Sequence, residues 1–341
     1  MMCPICNSPM GAGDARLFGL PSVTSDCRPW TAGRSVMICT GCGVMRRQIS
    51  DKFNPNIYAN YRSTPEPAGR TKRILDFLDT RMRLRMKHIL DIGCGTGDGL
   101  VTLADHFPFA TVAGYEPHGD NSPPDCDNII GIWRKRPQFK YDLVTMFQVF
   151  EHLDDIHETL EYVKTIIAPG GQLLIQVPYA AMWPFDLLIS DHLWHFTANS
   201  LAELMIRGGF HVRYLGNDCI AKEITLLVDV SGECGEFQVA EMRPYIPSIE
   251  WLLAYKAFLD GITHKVAVFG TGPAAAWAAD ILGDRALVHL DDDCARRVGR
   301  FNGRTVTTPT DCQLPVVAPF PGWQLEGIQK KHPELKFMLP L

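Results

Sequence analysis

His88-Ile89-Leu90-Asp91-Ile92-Gly93-Cys94-Gly95-Thr96-Gly97-Asp98-Gly99 is the stretch from which the rest of this chain is read. A short apolar run ends in an acid, glycines then alternate, and a helix can begin. Glycine lets the backbone turn sharply and come close to a ligand. The N–H groups at the start of the following helix can hold a carboxylate or a phosphate. A dinucleotide-binding turn would read G-x-G-x-x-G. Here the pattern is D-x-G-x-G-x-G, with the acid ahead of the glycines. The stretch predicts a strand, a ligand-facing turn and a helix.

Alternating strand and helix patterns surround it from about residue 65 to about 230, which predicts a parallel α/β sheet. Thr71 to Leu84 carries Ile74, Leu75, Phe77, Leu78 and Met82 at helical spacing. Strands are expected at His88–Ile92, Ala110–Tyr115, Asn128–Gly131, Tyr141–Phe147 and Gln172–Val177. Helices are expected at Asp154–Ile167 and Leu201–Arg207. The first is stopped by Ala168-Pro169-Gly170-Gly171 and the second by Gly208-Gly209. Phe210–Leu215 and Ile220–Val230 complete the unit as an expected antiparallel pair. Three domains follow: residues 1–64, 65–245 and 246–341.

The chain has 341 residues, of which 46% are hydrophobic and 21% charged, enough for a sizeable core. Its net charge of −5 supplies no global basic field for nucleic acid or anionic lipid. No apolar stretch is long enough to span a bilayer. Met1-Met2-Cys3-Pro4-Ile5-Cys6 lacks the regions of a signal peptide, so a cytoplasmic location is expected. The eleven cysteines do not form an even-numbered disulfide framework. Four of them, Cys3, Cys6, Cys39 and Cys42, make C-x2-C … C-x2-C, a spacing suited to tetrahedral zinc. A closed set of four thiolates leaves no open position, so that zinc is expected to be structural.

The first motif resembles that of class I S-adenosylmethionine (SAM) methyltransferases. Further stretches recur in the same order in many bacterial members: Phe147-Gln148-Val149-Phe150-Glu151-His152-Leu153, Ala168-Pro169-Gly170-Gly171, Asp191-His192-Leu193-Trp194-His195-Phe196-Thr197 and Gly208-Gly209-Phe210. The resemblance implies a Rossmann-like α/β core that binds SAM at the carboxyl ends of its strands. It places Asp91, Gly93, Gly95 and Gly97 around the cofactor, and Phe147 and Gln148 beside its methionine and sulfonium. Glu116, in Gly114-Tyr115-Glu116-Pro117, stands where a carboxylate can accept from both ribose hydroxyls. Trp133, in Ile130-Gly131-Ile132-Trp133, is either an adenine platform or core.

A four-cysteine module ahead of such a core, with a smaller α/β domain behind it, resembles the bacterial sugar C-methyltransferases. That resemblance implies a nucleotide-linked keto-deoxysugar as acceptor. Its proposed base lies in an acid–histidine pair, matched here by Asp191-His192. His192 is then the candidate base and Asp191 the acid that orients its ring. His152 matches a second active-site histidine, and Tyr58 or Tyr61 a tyrosine reaching in from the linker. The chain departs from the family at Ile189, where a tyrosine is usual.

Val266-Ala267-Val268-Phe269-Gly270-Thr271-Gly272 opens a second strand–turn–helix, and Asp291 follows about twenty residues later, as a dinucleotide site requires. Ala275 replaces the third glycine, and this domain reads as too short for a full doubly wound sheet. A substrate-facing or vestigial loop is the expectation. The expected activity is methyl transfer from SAM to a small molecule, at carbon or oxygen. Two other readings stay open: O- or N-methylation of another natural product, and a non-catalytic, zinc-anchored SAM-binding scaffold. The sequence favours neither a nucleic-acid partner nor a membrane, and leaves the oligomeric state open.

Overall fold

The computed structural model describes residues 1–30, 36–47, 69–79, 81–82, 86–118, 122–230, 246–293 and 299–340. The amino-terminal segment carries short strands β1 (Met10–Ala12), β2 (Ser22–Val23), β3 (Pro29–Trp30), β4 (Val36–Cys39) and β5 (Met45–Arg47). Five parallel strands of the central unit follow: β6 (His88–Ile92), β7 (Thr111–Tyr115), β8 (Ile129–Trp133), β9 (Tyr141–Phe147) and β10 (Ile167–Pro178). After β11 (Trp194–His195) come β12 (His211–Gly216) and β13 (Glu223–Asp229). The seven-stranded sheet runs β12-β13-β10-β9-β6-β7-β8, with β13 antiparallel to both of its neighbours. The expected antiparallel pair is therefore present.

The inner strands read as near-continuous apolar runs because helices cover both faces of a parallel sheet. Leu143, Val144 and Met146 of β9 are fully buried. Helix Ile156–Ile166 buries Ile156, Thr159, Leu160, Val163 and Ile166, a helical stripe. Its N-cap is Asp155, whose carboxylate accepts from Glu158 N at 2.9 Å. Helix Ala198–Arg207 starts with a reciprocal Thr197/Ser200 box and ends at Gly208, two features that fix its length. Helix Arg70–Leu78 is shorter than the expected Thr71–Leu84, part of which lies outside the described residues. Strand β8 runs on to Trp133, beyond the expected Gly131, because its register against β7 slips by one residue at Ile130.

The cysteine segment is not a detached bead. Its sheet runs β1-β4-β5-β11, taking its last strand from the central unit. Met45 and Arg46 pair with His195 and Trp194. Leu17, Leu20, Val23 and Cys27 share a core with helices Ile246–Gly261 and Pro273–Leu282.

The carboxyl-terminal unit corrects one expectation. Strands β14 (Val266–Phe269), β15 (Ala286–Leu290), β16 (Arg300–Phe301), β17 (Arg304–Thr307), β18 (Val316–Val317) and β19 (Phe337–Met338) form one sheet in the order β16-β17-β15-β14-β18-β19. Five of them are parallel, in the doubly wound order 3-2-1-4-5, and β16 adds an antiparallel edge. The sheet fits into so short a segment because β18 and β19 have only two residues each.

Candidate active site

The turn after β6 does what its glycines suggest. Gly93 has φ +75, and a Cβ there would lie 2.3 Å from the Val149 side chain. Gly97, at φ +91, is the N-cap of helix Asp98–His106. Asp91 is buried at the end of β6 and accepts from Thr145 Oγ1 at 2.6 Å. At the end of the adjacent β7, the Glu116 carboxylate accepts from Gly95 N at 3.2 Å and from His118 N at 2.9 Å. Phe147 and Gln148 stand at the end of β9. Gln148 has φ +56, a left-handed conformation unusual for a residue with a side chain.

These groups line one cavity of about 910 Å³ together with Glu151, His152 and His192. Asp91, Gly93, Gly95, Glu116, Phe147 and Gln148 all line it, whereas Gly97 caps the following helix and is not part of the lining. Trp133 packs against the core, and its backbone oxygen accepts from Glu116 N at 2.9 Å.

The histidine end is built on Asp186, to which the sequence reading gave no role. Asp186 Oδ1 accepts from His192 Nδ1 at 2.6 Å, and Oδ2 accepts from His195 Nδ1 at 2.7 Å. Asp186 is 1% exposed. The expectation that Asp191 orients His192 is thereby corrected. Asp191 is engaged elsewhere: its carboxylate accepts from Ser25 N at 2.8 Å and from Ser25 Oγ, and its Oδ2 lies 3.5 Å from His152 Nδ1. Its backbone oxygen takes His152 Nδ1 at 2.9 Å. The physical reason is the turn itself. Asp186 lies on the short 3-10 helix Pro184–Leu188, which folds back under His192, whereas Asp191 points toward the amino-terminal segment. The rings of His152 and His192 meet edge to face at 4.6 Å.

Burial shapes the electrostatics. It works against a charged His192, but the Asp186 hydrogen bond and charge outweigh it and lift this imidazole to about 9. Burial, with His192 nearby, drops His152 to about 4. Glu151 is fully buried, and desolvation pushes its carboxyl up to about 8. Asp186 is likewise desolvated, yet its two histidine partners hold it below the usual carboxylate range. Arg70, also on the cavity wall, is buried and donates to both oxygens of Glu223, from Nε to Oε1 at 3.2 Å and from Nη2 to Oε2 at 2.8 Å.

The four motif cysteines converge against the central unit, where Thr197 Oγ1 donates to Cys42 O at 3.0 Å. Cys3 Sγ lies 3.8 Å from Cys42 Sγ, and Cys6 Sγ lies 3.3 Å from Cys39 Sγ. All four sulfurs are free thiols within 4.8 Å of one another. Tetrahedral bonds of about 2.3 Å put sulfurs about 3.8 Å apart, so this cluster suits a metal. Gly41 N and Cys42 N donate to Cys39 Sγ. Tyr58 and Tyr61 lie outside the described residues.

Sequence reasoning missed Asp186, Ser25 and Arg70, and quoted Glu151 without assigning it a role. An acid inside the apolar run Pro184-Phe185-Asp186-Leu187-Leu188 was the available signal.

Known proteins bear on this geometry. A family model described as a methyltransferase domain matches residues 60–215. Trans-aconitate 2-methyltransferase of Klebsiella pneumoniae is 31% identical over 138 residues, covering 37% of this chain and 51% of that protein. Its Escherichia coli O139:H28 counterpart is 24% identical, covering 42% of this chain and 57% of that protein. The chain thus spans about half the length of the curated relatives it matches. A SAM-dependent methyltransferase from Aquifex aeolicus superposes with a TM-score of 0.40 at 14% identity, over 53% of this chain and 100% of that one. No helix among the described residues is long and apolar enough to cross a membrane. Residues 60–215 are similar to methyltransferase domains.

Proposed function

We propose that this protein moves a methyl group from SAM to a small-molecule acceptor, a nucleotide-linked sugar or a related metabolite, at carbon or oxygen. The observation that carries this reading is the continuity of one cavity. It runs from the glycine turn and Glu116 to half-buried His152 and buried His192. A volume of about 910 Å³ leaves room for an acceptor beside the cofactor. SAM supplies an electrophilic methyl on a sulfonium, and the chain's share is alignment and proton handling. Asp91, Gly93, Gly95, Gly97, Glu116, Phe147 and Gln148 hold the cofactor in this reading. His192 is the base, with Nδ1 tied to Asp186 so that Nε2 is left for the acceptor. His152 assists, and Asp191 anchors the wall through Ser25.

The cysteine cluster holds one structural zinc, and residues 1–64, 65–245 and 246–341 serve as module, cofactor domain and substrate wall. Thr271, Gly272 and Pro273 reach the cavity, which supports a substrate-facing loop. Asp291 is engaged by Thr271 Oγ1 at 2.5 Å and by Asp293 N at 2.9 Å, unlike a carboxylate waiting for a ribose.

The likeness to trans-aconitate methyltransferases favours a second acceptor class, carboxylic acids. Calorimetric titration with SAM and S-adenosylhomocysteine tests the cofactor half of the reading. A turnover screen of nucleotide-linked keto-deoxysugars and small carboxylic acids tests the acceptor half. Micromolar SAM binding with sugar turnover is expected. Absence of SAM binding to folded, metal-loaded protein would overturn the reading.

A further inference from the structure

Two histidines and a carboxylate meet at the acceptor end of the cavity, and their outer contacts fix how they meet. His192 gives Nδ1–H to Asp186, and His152 gives Nδ1–H to the Asp191 backbone oxygen. Each ring therefore turns its Nε2 edge away from those partners. His152 Nε2 lies 4.0 Å from Glu151 Oε1. One ligand atom from each of Glu151, His152 and His192 falls within 4.8 Å of the others. An ionised carboxylate and neutral imidazole nitrogens are all acceptors, so the cluster is satisfied only when it holds a proton.

Glu151 is the member without a full set of partners. It is 1% exposed and lines the cavity, and its Oε2 has no hydrogen-bond partner among the described residues. Its other oxygen is held. With the Gln148 amide oriented to satisfy both neighbours, its nitrogen donates to Glu151 Oε1 at 3.3 Å and its oxygen accepts from Arg70 at 3.1 Å. Gln148 is the residue with φ +56 at the end of β9. A buried polar atom left open on a cavity wall, with its sister oxygen fixed, is arranged to meet a ligand.

We infer that Glu151 is a catalytic residue of the proposed methyl transfer: its neutral carboxyl donates a hydrogen bond to the acceptor's carbonyl oxygen while His192 takes the proton from the adjacent carbon. This inference rests on the reading under Proposed function and narrows it to an enolisable carbonyl acceptor. The step balances. The acceptor's C–H pair becomes the enolate, and the proton goes to His192 Nε2. The enolate carbon then bonds the methyl carbon as the S–CH3 pair returns to sulfur. S-adenosylhomocysteine and the methylated ketone form, and His192 gives its proton to water. A carboxylic acid kept neutral by a dry site is a strong donor to a developing oxyanion. The reacting form has neutral His192 beside protonated Glu151, so the imidazole gives up the proton that Asp186 helps it keep before it takes the one from carbon. Arg70, His152, Asp186 and Asp191 are the other charged or titratable groups around them.

Two measurements test it. The first needs no acceptor: the infrared spectrum of the metal-loaded full chain at neutral pH. A protonated-carboxyl band that Glu151→Gln removes is expected, and wild-type protein without that band overturns the inference. The second follows exchange of the α-proton of a nucleotide-linked keto-deoxysugar in D2O with S-adenosylhomocysteine bound. Glu151→Ala should slow exchange by about 10²-fold. Glu151→Gln, which still carries a donor, should recover most of the rate, and SAM affinity should stay put in both variants. Exchange in Glu151→Ala at the wild-type rate, or Glu151→Gln as slow as Ala, overturns the role. SAM binding that fails in the wild type overturns the proposed function instead, which separates the two failures.

Discussion

Asp186 grips His192 at 2.6 Å and gives its second oxygen to His195 at 2.7 Å, so a single buried carboxylate sets the orientation of two rings. A carboxylate on Nδ1 fixes the tautomer and raises the basicity of Nε2. Asp186→Asn should lower methyl-transfer turnover by about 10²-fold and leave SAM affinity near wild type. Steady-state kinetics with parallel calorimetry reads both. His192→Ala should lose at least as much, and adding Asp186→Asn to it should cost little more, because the two act as a unit. Additive losses would separate Asp186 from His192.

The same contact makes stability depend on pH. His192 is lifted to about 9 in the folded chain, above its ordinary value near 6.5. Stabilisation from this group is therefore complete below about pH 6.5 and is lost as pH rises through about 9. Urea unfolding of wild type and His192→Gln should show a gap that narrows across this window. A gap that widens with pH would mean that the imidazole is neutral when buried.

Glu116 reaches back to Gly95 N at 3.2 Å, which places its carboxylate at the mouth of the glycine turn. Glu116→Ala should weaken SAM binding by about 10²-fold, the order expected for a charged partner of two hydroxyls. Calorimetric titration decides this. Unchanged affinity would move the ribose elsewhere.

Metal analysis should find about one zinc per chain, lost when Cys39 and Cys42 become Ser. Because β5 pairs with β11, the loss should also reach the histidine loop. Chelated protein should melt earlier and turn over more slowly. A metal-free preparation with the same melting temperature would refute a structural ion.

The central sheet was legible because its signals are local. Tyr141–Phe147 is a strand in the sequence and in the structure, since a short, mostly apolar run after a polar turn has few other uses. The glycine turn was legible for the same reason. The orientation of His192 was not, because Asp186 and Asp191 are both near neighbours in the chain and only the turn at Pro184–Leu188 decides between them. Ser25 was invisible as a wall residue: its contact with Asp191 spans 166 positions. The carboxyl-terminal sheet was underestimated because Val316–Val317 and Phe337–Met338 are too short to show any period.

The pairing of Met45 with His195 also has a meaning in time. During synthesis the amino-terminal strand waits for about 150 further residues before its partner exists, roughly 8–30 s at common elongation rates. Through that interval β5 offers an open edge beside four unpaired thiols. A metal ion that gathers the four sulfurs early would hold the segment in shape until the strand that completes its sheet leaves the ribosome.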